Sequence, residues 1–120
     1  MQRKRSRRIS AQGSICEIER DGVTETYSIV DISQVGLSLI GSPEVEQGSR
    51  IDARLHLWPK MKGVDMRVRI EKMRTHQAPD GQVVSGWDII SHENEESVRA
   101  LAKFIALAKH PNLQSLEDPS

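Results

Sequence analysis

Residues 50–57 read RIDARLHL, and in them Ile51, Ala53, Leu55 and Leu57 alternate with Arg50, Asp52, Arg54 and His56. Successive side chains of an extended chain point to opposite faces, so this period of two predicts a strand with one apolar and one wet face. Such a strand needs neighbours on both edges, and the flanking sequence offers them. Beyond the breaks at Pro59 and Gly63, Met66, Val68 and Ile70 alternate with Arg67, Arg69 and Glu71. APDG at residues 78–81 then predicts a turn into a strand over residues 83–90, with Trp87 and Ile89 sharing a face. Gly86 inside that strand marks a bend, a bulge or a close backbone approach.

Upstream, residues 14–20 and 23–30 are rich in Ile, Val, Thr and Tyr. Asp21-Gly22 between them suits a type I′ turn, so the pair reads as a hairpin. Ile29, Val30 and Ile32 lead into DISQVG at residues 31–36, which combines an acceptor, a hydroxyl and a glycine at a strand end. Val35, Leu37 and Leu39 alternating with Gly36, Ser38 and Ile40 predict a third strand, and GSPEVEQGS at residues 41–49 interrupts it.

From residue 94 to 109 the period becomes helical, with Val98, Leu101, Ala102, Ile105 and Ala108 on one stripe. Asn94 suits the N-cap, Glu95 and Glu96 the positive end of the helix dipole, and Lys109 and His110 the negative end, before Pro111 forbids continuation. Phe104 and Leu107 widen the stripe, which points either to capping of a barrel end or to a second subunit, hence a homodimer. Six short strands joined by hairpin-type turns must close or leave edges exposed. The fold class is therefore all-β with a terminal helix: a six-stranded antiparallel β-barrel followed by a C-terminal α-helix.

The chain of 120 residues is one domain long. Residues 1–12 are expected to form a flexible arginine-rich arm, 13–110 the barrel with its helix, and 111–120 a frayed tail. Formal net charge is zero, yet residues 1–8 hold five of the 17 basic residues and none of the 17 acidic ones. A cationic leader on a mildly acidic body suggests an interacting arm, whereas a duplex-DNA binder presents a broad basic face. The leader also has no aromatic residue for stacking on single-stranded bases, so nucleic acid is disfavoured as a partner. The single cysteine, Cys16, fits a reducing compartment as a small hydrophobe, and no apolar run approaches a membrane span. A cytoplasmic protein without membrane insertion is expected. His56, His76, His92 and His110 are scattered without metal-ligand spacing, and Ser33 has no histidine base evident in sequence, so neither a metal site nor an enzyme is expected.

Two motifs carry a resemblance. R-x-x-x-R, read literally as Arg3 and Arg7, precedes the first strand, and D-x-S-x-x-G is complete in Asp31, Ser33 and Gly36. In a second register Arg8 stands immediately before Ile9 and puts Lys4 at the first arginine position. With the barrel and terminal helix, these motifs make the chain similar to the PilZ family, receptors of the bacterial second messenger cyclic di-GMP. The resemblance implies that Arg3, Lys4, Arg7, Arg8, Asp31, Ser33 and Gly36 contact that ligand, with Gly86 resembling a glycine found late in the family's barrel. It implies no cofactor, and an unknown downstream protein partner.

The chemistry agrees with it. Arginine binds phosphate oxygens or guanine O6 and N7 bidentately and stacks on bases, while a carboxylate accepts from the guanine N1 and N2 donors. Ser33 is expected to donate to or accept from the ligand, and Gly36 to take a positive φ or let the ligand approach closely. The leader would order on binding and present a surface to the partner. The alternatives are a PilZ-like interaction module that does not bind nucleotide, and a nucleic-acid-binding basic arm on a barrel.

Overall fold

The computed structural model describes residues 8–58 and 66–109. In chain order the elements are β1 (Ile9–Ser10), β2 (Ile15–Arg20), β3 (Val23–Ile32), β4 (Gly36–Ile40), β5 (Arg50–His56), β6 (Met66–Gln77), β7 (Val83–His92) and α1 (Glu95–Lys109). The sheet runs β1-β3-β2-β5-β6-β7-β4, and β4 pairs back onto β3. Strands β2 to β7 thus close the expected six-stranded antiparallel barrel, and closure removes the exposed edges. Asp21 (φ 52°) and Gly22 (φ 77°) both occupy the left-handed region that the expected type I′ turn demands.

Two differences from the sequence reading concern the ends. Ile9 and Ser10 form a seventh strand, pairing with Ile32 and Asp31 of β3, and Ala11 is only 1% exposed. The arm drawn through residue 12 therefore overlaps the sheet: from Ile9 to Ala11 the chain is part of the folded body, because the edge of β3 beyond β2 offers it backbone partners. Residues 1–7, with Arg3, Lys4 and Arg7, and the tail 111–120 lie outside the described residues.

The helix sits where expected but on a rotated face. Ser97, Leu101, Phe104, Ile105 and Leu107 are buried, whereas Val98 is 48% exposed and Ala108 is exposed. A serine on the buried face disguised the phase of the stripe: the Ser97 hydroxyl is held by His92 Nδ1 at 2.8 Å, and its amide donates to the capping Asn94 Oδ1 at 2.9 Å. Phe104 joins the hydrophobic core, and Leu107 is covered within the single chain.

Inside the barrel, Cys16, Ile18, Ile32, Leu37, Leu39, Met66, Ile70 and Trp87 expose no surface. Burial pushes the Cys16 thiol up to about 12, so it stays a neutral hydrophobe. Trp87 is buried without leaving its donor unmet: Nε1 donates to Ser85 Oγ at 2.8 Å, and that hydroxyl donates to Gly41 O at 2.7 Å. Lys72 points inward too, its ammonium donating to Pro43 O and Val45 O at 3.0 Å each, which anchors the loop between β4 and β5.

The strict period of two fails at β-bulges. Between β3 and β4, Ile29 pairs with Leu39 and Asp31 with Ser38, leaving Val30 as an extra residue. Between β6 and β7, Lys72 pairs with Trp87 and Arg74 with Gly86, leaving Met73 extra. Each bulge reverses the in-out order beyond it, so Asp31 and Arg74 face outward where unbroken alternation would aim them into the core.

The rotated helix face gives a direct comparison. Ile70→Ala, at a fully buried barrel position, should lower unfolding free energy by about 2–5 kcal/mol in urea titration. Val98→Ala should change it by no more than about 0.5 kcal/mol; a core-sized loss at Val98 would restore the stripe read from sequence.

Candidate functional site

Directly paired residues of neighbouring strands share a face, so the register defines an outward row. Asp31 of β3 pairs with Ser10 on one side and Ser38 on the other. Ser38 pairs with Gly86 of β7, and Gly86 with Arg74 of β6. Five strands thus present Ser10, Asp31, Ser38, Gly86 and Arg74 side by side, about 5 Å per step.

Arg8, just before β1, reaches across this row. Its Nη1 donates to Asp31 Oδ1 at 2.9 Å and to Ser38 Oγ at 2.8 Å. The side chains of Arg8 and Asp31 remain 34% and 33% exposed, so the pair is bound yet open to solvent and to a ligand. Gly36 makes this placement possible. A Cβ there would lie 3.1 Å from Arg8 Nη2 and 2.8 Å from the Trp87 carbonyl oxygen, and a clash with backbone cannot be relieved by rotating a side chain. Gly36 serves here as a point of close approach within the protein. Its φ is not in the left-handed region, and the approaching groups are an arginine and a backbone carbonyl of the protein itself.

Ser33 is held within the turn. It is 1% exposed, and its hydroxyl accepts from Val35 N at 3.1 Å and donates to Gly36 O at 3.4 Å, while its amide donates to Gly36 O at 2.8 Å. These bonds close the turn between β3 and β4, as short hydroxyl side chains do in such turns. Ser33 shapes the corner that sets Asp31 and Gly36; the hydroxyl that faces outward toward the arginine is that of Ser38.

The structure therefore brings Arg8, Asp31 and Gly36 together, puts Gly86 one strand beyond Ser38, and keeps Ser33 beneath them. Sequence reasoning did not single out Ser38 and Arg74, which share the outward row. Ser38 was legible, since it shares with Gly36 the side of the third strand opposite Leu37 and Leu39. Arg74 was not, because the bulge at Met73 interrupts the alternation that stops being readable at Glu71.

In chemical terms the row offers a bidentate cation, a carboxylate acceptor and a hydroxyl over bare glycine backbone, a set suited to a flat anionic ligand with hydrogen-bonding edges. A concavity of about 470 Å³ lies elsewhere, on the outer wall lined by β2, β5, β6 and the end of β7. Its charges are matched internally, with Arg69 on Asp52 at 3.2 Å and Arg67 near Glu93 at 3.8 Å, so it makes no comparable demand for an ion. Among the described residues no group of three His, Cys, Asp or Glu side chains is placed to hold a metal, and no helix is long and apolar enough to cross a membrane.

Comparison with known proteins agrees with this architecture. MrkH from K. pneumonia, solved as a complex with c-di-GMP, superposes with a TM-score of 0.75 at 15% identity, over 96% of this chain and 56% of that one. The PilZ domain of YcgR from Escherichia coli with c-di-GMP gives 0.67 at 15% identity, covering 98% and 99%. The Bacillus subtilis inhibitor of motility MotI/DgrA gives 0.71 at 14% identity, covering 95% and 53%. The chain thus spans little more than half the length of the MotI and MrkH structures. None of the curated proteins compared matches it. The PilZ domain family model matches residues 2–107, nearly the whole chain, and the chain belongs to the PilZ family.

Proposed function

We propose that this chain is a receptor for cyclic di-GMP that signals to a partner protein through its basic leader. The observation that carries the reading is the Arg8 guanidinium held on Asp31 and Ser38 above the bare Gly36 backbone. Solved structures of the same fold with c-di-GMP, those of MrkH and the YcgR PilZ domain, support the choice of ligand.

In this reading Arg8 is pre-set. Asp31 already fixes one edge of its guanidinium, so ligand binding meets an arginine that has lost much of its rotamer freedom. The second carboxylate oxygen of Asp31 accepts no hydrogen bond from a described residue and is available to the N1 and N2 donors of a guanine. Arg3, Lys4 and Arg7 supply further cations from the leader, folding over phosphodiesters that Arg8 alone cannot neutralise. Ser33 acts through the turn it closes, and Gly36 through the clearance it leaves. Fixing the leader on the ligand gives a partner a surface to recognise, with no bond made or broken. The motility named for the MotI relative makes motility machinery the first partner class to examine by pull-down with and without the ligand.

Calorimetric titration separates this from the alternatives. Saturable binding of cyclic di-GMP, with little of GTP or a short oligonucleotide, is expected; equal binding of the oligonucleotide would favour the nucleic-acid arm, and no binding of any would favour an interaction module. Arg8→Ala should weaken cyclic di-GMP about ten- to a hundredfold while leaving the thermal midpoint nearly unchanged, because a half-exposed ion pair contributes only about 0.2–1 kcal/mol to folding. Undiminished affinity would move the site away from this corner. Asp31→Ala should erode the preference for cyclic di-GMP over cyclic di-AMP more than it lowers affinity for either, and an unaltered preference would remove the guanine role from Asp31.

A further inference from the structure

Gly86 enters the row without a side chain, and what fills the space is Arg74. A Cβ on Gly86 would lie 3.3 Å from both Cγ and Nε of Arg74, so the arginine side chain lies over the Gly86 backbone of β7, next to the strand that carries Ser38, while the residue as a whole stays exposed. The bulge puts it there. With Met73 counted out as the extra residue, Arg74 takes the outward place opposite Gly86; in unbroken register that place would hold Met73 and the arginine would face the core. Bulges re-aim side chains in this way, and they gather beside functional sites.

The charge state of the row completes the observation. Arg8 is neutralised by Asp31. Arg74 makes no hydrogen bond or ion pair with another described residue, although it lies within two strand spacings, about 10 Å, of Ser38. Two guanidinium groups flank one glycine-floored patch, only one of them has a carboxylate, and an anion placed between them would satisfy both.

We propose that Arg74 is a further ligand contact of this site, taking a phosphodiester from the barrel side while Arg8 approaches from the other. This rests on the cyclic di-GMP reading above and adds a residue that neither of the two sequence motifs contains. A cyclic dinucleotide carries two phosphodiesters on opposite sides of its ring, so cations arriving from opposite sides of the patch match its charge distribution. Gly86 is then the clearance that lets Arg74 lie flat enough to reach inward.

The test is titration of the full chain with cyclic di-GMP at low and high salt, comparing the parent with Arg74→Ala, Arg74→Lys, Gly86→Ala and the Gly86→Ala/Arg74→Ala pair, each with its thermal midpoint. Arg74→Ala should bind about ten- to a hundredfold more weakly at an unchanged midpoint, with a larger deficit at low salt, where an ionic contact is less screened. Arg74→Lys should recover part of the loss. Gly86→Ala, which displaces Arg74, should weaken binding, and the double variant should be no weaker than Arg74→Ala alone. A parent that binds while Arg74→Ala stays within twofold of it overturns this inference and leaves the cyclic di-GMP reading standing. A deficit identical at both salt concentrations likewise overturns it, since a purely structural role predicts that result. A parent that does not bind removes the reading and this inference together.

Discussion

Asp31 faces outward because β3 carries one residue more than β4 between the Ile29–Leu39 and Asp31–Ser38 pairs. Most of the site follows from that extra residue. With Asp31 outward, Ile32 returns to the core as the next inward side chain, fully buried and paired with Leu37. Beyond it the turn closed by Ser33 brings Gly36 and Ser38 up beside the carboxylate, and the free edge of β3 receives Ile9 and Ser10. Arg8 is then the first side chain before that short strand, and it has an acceptor to land on. An unbulged β3 would bury a carboxylate in an apolar barrel, at a cost of several kcal/mol, and would leave Arg8 nothing to hold.

How much of this could be read from sequence depended on whether local periodicity survived. Residues 50–57 alternate without interruption in both sequence and structure, as do residues 66–71, so strand identity, facing and closure followed from them. The type I′ turn at Asp21-Gly22 and the Asn94 cap were legible because each depends on one or two residues whose backbone preference is strong. What escaped were the points where tertiary structure overrides a local rule. Lys72 reads as a surface residue and is buried, because two loop carbonyls receive its ammonium. Ser97 reads as polar surface and lies on the buried helix face, because its hydroxyl is hydrogen-bonded with His92 Nδ1. Arg74 lies past a bulge that no single-residue preference announces. Asp31 and Gly36, singled out by their spacing, lie together beside Arg8. The bonds that Ser33 makes within the turn were not legible from that spacing.

Stability and recognition draw on different residues here. The barrel is held by side chains with no exposed surface, each contributing on the order of 1.5–3 kcal/mol through burial, while the outward row contributes one half-exposed ion pair and a few hydrogen bonds. Such a division suits a binding surface. Outward groups can be left under-satisfied for a ligand without endangering the fold, and the rigid wall beneath keeps their spacing fixed.

The seam where the two sets of residues meet is β1. It has only two residues, both paired to β3, and Ile9 packs against the core while Arg8 before it lies on the outer face. Helix α1 packs against β1 as well as β6 and β7. After β1 the chain is fixed again: Ala11 N donates to Val30 O at 3.1 Å, and Ser14 Oγ accepts from Trp58 N at 2.8 Å at the far end of β5. Gly13, with φ of 94°, leaves room for the Trp58 ring, which would lie 2.8 Å from a Cβ at that position. The leader is therefore tied into the body at several points just downstream of Arg8, and a displacement of β1 cannot be absorbed by a slack linker. It must alter the contact with α1, the pairing with β3, or both. Arg8 thus stands next to the two residues of strand that pair with β3 and contact the helix.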